Sequence, residues 1–306
     1  MTPQNPFDVI IIGGSYSGLS ASMALGRSLK NVLVIDSGLP CNRQTPHSHN
    51  FITHDGRKPS EISAMAKEQL KQYSTVKFHN GIATIGKRSG SIFEITTAEN
   101  DTFRGRRLIF ATGIRDIIPN IPGFAECWGI SVLHCPYCHG YEVRHQKTGL
   151  LANGDAGFEH ASLISNWTDD LTLLTNGKSS LSPEQSKVLE KHNIKIIQKE
   201  VQEIDHIDGQ IRRVTFKDNT DLVLEALYAR VPFEQHCSIP GQLGLELNEL
   251  GYIKTDNMQK TNIPGVYACG DNSSPMRTVS SAVATGTAAG MMLNKEMVLE
   301  KFSTTL

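Results

Sequence analysis

Short aliphatic runs alternate with longer helical patterns along this chain. The run at residues 7–12 leads through a glycine-containing turn into a helical pattern over 19–29, and a second run over 32–35 ends on Asp36. Continuous β-branched runs are typical of strands buried on both faces of a parallel sheet. The pattern therefore predicts an α/β fold. Comparable runs follow at 107–110, 148–152 and 171–174.

The first turn is a candidate phosphate-binding loop. It follows G-x-G-x-x-G, with Ser15 in place of the second glycine, and it reads Gly13-Gly14-Ser15-Tyr16-Ser17-Gly18. Glycines let backbone N–H groups approach a pyrophosphate at a helix N-terminus, and Asp36 would accept a hydrogen bond from a ribose hydroxyl. An ordinary strand-to-helix turn is the alternative. The order of elements and the acidic strand end favour a dinucleotide site.

The length and net charge of the chain limit the classes of protein to which it can belong. The 306 residues suggest two domains, and the net charge of −1 without a basic tract argues against a nucleic-acid partner. The sequence has no apolar run of membrane-spanning length, and residues 1–6 lack the basic region of a signal peptide. We therefore expect a cytoplasmic protein with no membrane partner, in which structural disulfides are disfavoured.

Two of the six cysteines form the motif Cys135-Pro136-Tyr137-Cys138-His139. Covalent haem attachment would require export to an oxidising compartment. A zinc site would require a second pair of ligands, which the sequence does not offer, so we predict no metal. A redox dithiol needs only this spacing and one activated thiol, and it is the interpretation that we favour. Two buried structural cysteines are the remaining alternative.

Two further motifs give the chain a family resemblance. A strand at 107–110 ends in Ala111-Thr112-Gly113, and a late segment reads Pro264-Gly265-Val266-Tyr267-Ala268-Cys269-Gly270-Asp271. With the first turn, these motifs resemble the flavoprotein disulfide reductases that have two dinucleotide-binding domains. The resemblance implies that FAD binds the first domain, with Asp271 near the ribityl and pyrophosphate groups. The helix beginning near Thr278 and Val279 would point its positive end at the flavin.

The same resemblance predicts two nested Rossmann-like, doubly wound domains. Because the late motif lies far from the first turn, the FAD domain is expected to be discontinuous. Its two parts would be residues 1–116 and 245–306, with a central NAD(P)H-like domain at 117–244 that carries the cysteine pair. Strands at 76–81 and 91–97 are expected to belong to a small β insertion. A homodimer is also implied by the family.

The position of the cysteine pair resembles that of the low-molecular-weight thioredoxin reductases. In that family the counterpart of Cys138 lies next to the flavin, and the counterpart of Cys135 exchanges with substrate. Where thioredoxin reductases carry an aspartate, this chain has His139. The form C-x-x-C-H-G-[YFW]-E resembles dithiol oxidases that close disulfides in small natural products such as gliotoxin and holomycin. His139 would accept a thiol proton, and a solvated loop histidine is the alternative.

The central domain departs from the reductase pattern at its own glycine turn. The turn reads Ala152-Asn153-Gly154-Asp155-Ala156-Gly157-Phe158-Glu159, so two expected glycines are replaced. The basic triplet that grips a 2′-phosphate in the family is also replaced, and Lys178 is the one cation there. These departures weigh against NADPH as a cofactor, and NADH or no pyridine nucleotide is equally compatible with them.

A polar segment after the second strand contains three histidines, His47, His49 and His54, and also Asn50. By resemblance, Asn50 aligns with a flavin-contacting asparagine. The histidines lack clean metal-ligand spacing, and a polar lining to a substrate cleft is favoured over a metal cluster.

These features predict an FAD-dependent thiol–disulfide oxidoreductase. The favoured direction oxidises a small dithiol substrate and passes electrons to FAD and then to O₂ or another acceptor. The alternative direction uses NAD(P)H or another donor to reduce thioredoxin or a thioredoxin-like protein. A flavin-binding redox sensor without turnover is a third hypothesis.

Overall fold

A computed structural model describes residues 5–303 of the chain. The first four residues of the predicted 1–116 segment, which include most of the stretch checked for a signal peptide, lie outside the described residues. So do the last three residues of the predicted 245–306 segment. The chain divides into two compact units. Unit 1 comprises the described parts of Met1–Arg43, Phe51–Arg115 and Phe233–Leu306, and unit 2 comprises Gln44–Asn50 and Asp116–Pro232.

The elements follow the predicted α/β order. The first stretch of the chain forms β1 (Phe7–Ile12), α1 (Tyr16–Arg27), β2 (Val32–Asp36), α2 (Pro59–Leu70), β3 (Val76–Asn80), β4 (Ala83–Ser89), β5 (Ile92–Thr97), β6 (Thr102–Phe110) and β7 (Ile114–Asp116). The middle stretch forms α3 (Phe124–Cys127), β8 (Val132–Leu133), α4 (Pro136–His139), β9 (Thr148–Leu151), α5 (Gly154–Ile164), β10 (Leu171–Leu174), α6 (Pro183–Lys191), β11 (Lys195–Ile197), β12 (Val201–Ile207), β13 (Gln210–Phe216), β14 (Asp221–Val223) and β15 (Ala226–Ala229). The last stretch forms β16 (Phe233–Gln235), α7 (Ile239–Gln242), β17 (Val266–Ala268) and α8 (Val279–Ser303).

Unit 1 is built on a seven-stranded sheet in the order β3-β2-β1-β6-β5-β4, with β17 also paired to β6. Strands β1, β2, β3, β6 and β17 run parallel, whereas β4 and β5 extend the sheet antiparallel. Along β1, Val9 and Ile11 pack into one apolar cluster and Ile10 and Ile12 into another. The sheet is therefore buried on both faces, as the continuous apolar runs predict.

Unit 2 contains a five-stranded parallel sheet in the order β11-β10-β9-β15-β8. Helix α5 contributes Ala161 and Ile164 to an apolar cluster with Leu150 and Leu173 of this sheet. A separate antiparallel sheet of β12, β13 and β14 belongs to the same unit. A hairpin at Asp208 and Gly209 joins β12 to β13.

The structure corrects one predicted element and extends others. Strand β3 was expected in a small β insertion, and this was wrong, because β3 pairs in parallel with β2 at the edge of the main sheet. Its partly exposed pattern is that of an edge strand, which sequence alone does not distinguish from a hairpin strand. Helix α1 begins at Tyr16 rather than near residue 19, and α8 continues to Ser303.

Unit 1 is discontinuous, as the predicted FAD domain is. Unit 2 ends at Pro232, earlier than the predicted limit at 244, and it includes the separate segment Gln44–Asn50. Residues after Pro232 group with unit 1 because α7 packs on β4, where Ile239 faces Gly86. The domain limits themselves stay predictions. Within residues 5–303, no helix is both long and apolar enough to cross a membrane.

Candidate functional site

The first glycine turn is tightly packed against the end of β6. Gly13 has a φ of +105°, and a Cβ added there would lie 2.2 Å from the Ala111 carbonyl oxygen. A Cβ at Gly18 would lie 1.9 Å from the Gly13 oxygen. Both positions therefore require glycine, and this close approach joins the predicted residues of the turn to the Ala-Thr-Gly strand end.

The N-terminus of α1 is suited to an anion. Among the described residues, Ser15 at the N-cap makes no side-chain capping hydrogen bond, and the first turn of this twelve-residue helix carries no acidic side chain. The first backbone N–H groups of a helix have no partner within the helix, and the helix dipole favours negative charge there. The turn therefore fits the pyrophosphate of a dinucleotide such as FAD.

Asp36 lies beside this turn, as predicted, and it has two hydrogen-bond donors within the chain. Its Oδ1 accepts a hydrogen bond from Gly14 N at 3.1 Å, and its Oδ2 accepts one from Lys67 Nζ at 3.2 Å. Lys67 comes from α2 and was not singled out from the sequence. The ammonium group places a cation next to the predicted ribose-binding carboxylate.

The Gly-Asp motif after β17 meets the same end of the sheet. Gly270 has a φ of +81° and approaches Ser17 so closely that an added Cβ would lie 2.6 Å from its Oγ. The neighbouring Asn272, which sequence reasoning missed, is fully buried. Its Nδ2 donates to the Phe110 carbonyl at 2.9 Å and to Thr112 Oγ1 at 3.2 Å. Asn272 thereby ties the late motif to the Ala-Thr-Gly segment.

Asp271 and the start of α8 lie in unit 1, as the first glycine turn does. The Cys41 thiol is 4.0 Å from Asp271 Oδ2. Thr278 Oγ1 accepts a hydrogen bond from Ser281 N at 3.1 Å, which caps the helix. Val279 packs with Tyr16 in an apolar cluster.

Unit 1 therefore brings together nearly all of the predicted FAD residues. These are Gly13, Gly14, Ser15, Tyr16, Ser17, Gly18, Asp36, Ala111, Thr112, Gly113, Gly270, Asp271, Thr278 and Val279. Asn50 is the exception, because it groups with unit 2. It is exposed and has a φ of +59°, a left-handed conformation that asparagine tolerates better than most residues.

The cysteine pair lies at the short helix α4 of unit 2. Cys135 precedes the helix with extended backbone, and Cys138 N donates to the Cys135 carbonyl at 3.2 Å. Both cysteines are thiols and are half-buried. Gly140 closes the motif against Trp167, since a Cβ there would lie 2.8 Å from the indole ring. The Trp167 and Tyr137 rings also form an edge-to-face pair, with centroids 5.6 Å apart.

His139 is half-buried, so it is not the fully solvated loop residue of the alternative hypothesis. Burial, together with the nearby His49 ring, lowers the pKa of His139 to about 4. The imidazole is therefore neutral at pH 7 and is a weaker base than an exposed histidine. His49 in turn lies 3.6 Å from the Glu142 carboxylate, measured from Nδ1 to Oε1.

The histidine-rich segment brings His47 and His49 near each other, with ring centroids 6.4 Å apart. In the part of the chain that the structure describes, no three His, Cys, Asp or Glu side chains are grouped so as to hold a metal ion. His54 belongs to unit 1, where its ring contacts Phe51.

The second glycine turn differs from the first because the Asn153 side chain caps the helix that follows it. Asn153 is the N-cap of α5, and its Oδ1 accepts hydrogen bonds from Gly154 N and Ser180 N, each at 2.8 Å. Its Nδ2 donates to the carbonyls of Lys178 at 2.9 Å and Thr175 at 3.3 Å. One amide thus joins the turn to the loop after β10.

This network joins both segments that the resemblance assigns to a pyridine nucleotide. The first N–H of α5 has its acceptor within the chain, and the loop after β10 is held through its backbone groups by Asn153. Lys178, the cation in that loop, is exposed. Asp155 Oδ1 accepts a further hydrogen bond from Gln185 at 2.8 Å, which joins α5 to α6.

A parallel dinucleotide-binding fold with an open glycine turn, together with a second such fold that carries a dithiol, defines a flavin-dependent disulfide oxidoreductase. Residues 7–286 match the pyridine nucleotide-disulphide oxidoreductase family, and the chain belongs to it. The thioredoxin reductase tcpT of Claviceps purpurea is 31% identical over 98% of this chain and 97% of its own length.

Solved structures agree with this assignment. The crystal structure of HlmI superposes with a TM-score of 0.93 at 30% identity, covering 100% of this chain and 96% of HlmI. An oxidoreductase from Agrobacterium tumefaciens gives a TM-score of 0.90 at 35% identity, covering 96% of this chain and 99% of that one. The fold class, the thioredoxin-reductase-like family, the enzyme class and FAD as cofactor are thereby confirmed.

Proposed function

We propose that this enzyme oxidises a small dithiol to a disulfide through Cys135 and Cys138, and that it does so without a pyridine nucleotide. The observation that carries the proposal is the Asn153 network. A reductase that uses a pyridine nucleotide needs a site for it, and in this chain Asn153 bonds the first N–H of α5 and ties down the adjoining loop. The open turn at Ser15 supports the contrast between the two folds.

The chemistry at the cysteine pair begins with the pair as a disulfide. A substrate thiolate attacks Cys135, forming a mixed disulfide and releasing Cys138 as a thiolate. The second substrate thiol then attacks its partner sulfur, which closes the substrate disulfide and releases Cys135. Two electrons remain on the cysteine pair, and the two substrate protons must leave. FAD supplies the two-electron acceptor for the reduced pair, with O₂ or another oxidant as the final acceptor.

His139 is placed to pass on one of those protons, because it follows Cys138 directly. Its imidazole is neutral at pH 7, and with a pKa near 4 it would relay a proton toward solvent and not keep it. Glu142 lies 3.6 Å from His49, so a carboxylate is available to balance positive charge in this part of unit 2. We infer that the proton leaves through these groups to solvent.

FAD would be held by residues of unit 1. We expect Gly13 and Gly18 to bring backbone N–H groups to its pyrophosphate, and Asp36 to accept a hydrogen bond from its ribose. Asp271 would lie near its ribityl and pyrophosphate groups, and the start of α8 at Thr278 and Val279 would face its flavin ring. These assignments rest on the close contacts of Gly13, Gly18 and Gly270.

Reduction of thioredoxin or a thioredoxin-like protein is the second candidate function. The names of several relatives favour it, including the thioredoxin reductases tcpT of Claviceps purpurea and aclD of Aspergillus oryzae. That direction needs a reduced donor, and the hydrogen bonds of Asn153 weigh against a pyridine nucleotide in that role.

We also infer a cytoplasmic homodimer from the family. The mass of the holoenzyme, measured by light scattering, tests the dimer.

An anaerobic titration of the holoenzyme separates the two directions. We expect stoichiometric dithiothreitol to bleach the flavin absorbance, and NADPH or NADH to leave it unchanged. Cys138→Ser should abolish bleaching by the dithiol, since it removes one half of the pair. Asn153→Gly is the control for Cys138→Ser, because it removes the side-chain amide from the second glycine turn and leaves both cysteines intact. Stoichiometric bleaching of the parent enzyme by NADPH would overturn the oxidase proposal.

A further inference from the structure

Lys67 lies on α2, and its side chain contacts the carboxylate at the end of β2. The Lys67 Nζ is 3.2 Å from Asp36 Oδ2. The other carboxylate oxygen, Oδ1, accepts a hydrogen bond from Gly14 N at 3.1 Å. The Asp36 carboxylate is therefore held between the first glycine turn and a cation that comes from a different helix.

The start of α2 is attached to the helix that follows this turn. Tyr16, the first residue of α1, donates a hydrogen bond from its hydroxyl to the Pro59 carbonyl at 3.2 Å. Ile62, which is buried, packs with Tyr16 in an apolar cluster. Leu70, the last residue of α2, is also buried. Because both ends of α2 are anchored, the position of Lys67 is set by the fold.

The Asp36 carboxylate places a negative charge directly against the turn. Its side chain is only 14% exposed, and a Cβ added to Gly14 would lie 2.7 Å from the carboxylate carbon. The same turn is proposed to bind the pyrophosphate of FAD, which is itself negatively charged. Like charges repel more strongly where water is excluded. An uncompensated carboxylate at Asp36 would therefore weaken the binding of FAD at this turn.

We propose that Lys67 is a further FAD-binding residue, whose ammonium group balances the Asp36 carboxylate beside the turn. The proposal rests on the placement of the FAD pyrophosphate given under the proposed function. An ionised carboxylate has about four acceptor positions, and the bonds from Gly14 and Lys67 leave some of them open to ribose hydroxyls. Lys67 therefore neutralises the charge and leaves the carboxylate able to accept hydrogen bonds from the cofactor.

The test measures how readily the holoenzyme releases FAD. Each variant is diluted in steps, and the fluorescence of the released flavin gives the dissociation constant of FAD. We expect Lys67→Met to raise this constant roughly fivefold, the upper range for a partly exposed ion pair. Lys67→Glu should raise it roughly twentyfold, because it adds a second negative charge beside the turn. Lys67→Arg keeps the positive charge and should bind FAD as the parent does.

A control variant and salt separate this electrostatic role from a structural one. Lys71→Met removes the partner of Glu68, 2.5 Å away on the exposed surface just after α2, and should leave the dissociation constant unchanged. Lys67→Gln, a second neutral variant, should match Lys67→Met. The effect of both should shrink by more than half in about 0.5 M KCl, because salt screens the charges. Urea unfolding with saturating FAD checks that each variant is folded.

Parent-like FAD affinity in Lys67→Met and Lys67→Gln would overturn the inference. So would equal weakening by the neutral and acidic variants, or a loss of affinity that salt leaves unchanged. Unchanged flavin content in Gly13→Ala would instead refute the proposed assignment of the turn. Release of FAD does not depend on the direction of electron flow, so failure of the dithiol oxidase proposal is measured separately by the anaerobic titration.

Discussion

Protonation of His139 should destabilise unit 2. A matched variant separates this effect from the titration of other groups. The imidazole is half-buried, and burial together with His49 lowers its pKa to about 4, from an ordinary value of 6.5. The folded protein therefore resists taking up a proton that the unfolded chain binds readily. Because the folded pKa is the lower one, the stability is fully present above pH 6.5 and is lost as the pH falls toward 4.

The size of the loss follows from the two pKa values. A shift from 6.5 to about 4 corresponds to about 3 kcal/mol once both states are protonated. At pH 5 the unfolded chain is mostly protonated at this residue and the folded protein is mostly not, which gives about 2 kcal/mol. Other groups also titrate in this range, so only the difference between matched proteins isolates His139.

Urea unfolding at pH 7.5 and pH 5 measures this difference. The parent should lose about 2 kcal/mol more between the two pH values than His139→Gln, which has no titrating imidazole. His236→Gln, at an exposed position in unit 1, should behave like the parent. If the parent and His139→Gln lose equal stability, the His139 imidazole is not held in a desolvated environment.

Three further substitutions and one control, Gly38→Ala, test the local geometry. Gly13→Ala should lower the free energy of unfolding by about 2 kcal/mol or more, because the new Cβ meets the backbone oxygen of Ala111 at 2.2 Å. It should also lower the flavin content of the purified protein. Gly38→Ala, with a φ of +73° but no described atom within 4 Å, should keep its flavin. Asn153→Ala should lower the stability to urea by about 1 kcal/mol through loss of the α5 cap, and an unchanged midpoint would contradict the capping role. Gly140→Ala should slow dithiol oxidation, because the new Cβ would meet the Pro136 carbonyl oxygen at 2.5 Å and the Trp167 ring at 2.8 Å, and kinetics at saturating dithiol would detect this.

The first dinucleotide fold could be predicted from sequence because its signals are local. The β-branched run of β1, the glycine turn and the acidic end of β2 lie within one short segment, and the structure places them as expected. Strand β3 was assigned wrongly because its half-exposed pattern carries no information about its partner. Pairing in parallel with β2 depends on the register of the whole sheet.

The features that distinguish the candidate site are non-local, and sequence reasoning could not reach them. The glycine replacements at Asn153 were visible, but the sequence could not show that the amide would bind the loop at Lys178 and Ser180. The contact of His49 with Glu142 joins segments far apart in the chain. The pKa of His139 depends on burial, which a motif does not encode.

Oxygen consumption by the holoenzyme tests the central claim most directly. The assay in an oxygen electrode contains a dithiol such as dithiothreitol, with or without NADPH. The parent enzyme is compared with Cys138→Ser. We expect the parent to consume oxygen with the dithiol alone, NADPH to leave the rate unchanged, and Cys138→Ser to be inactive. Turnover that requires NADPH, or that survives in Cys138→Ser, would contradict a dithiol oxidase acting through this cysteine pair.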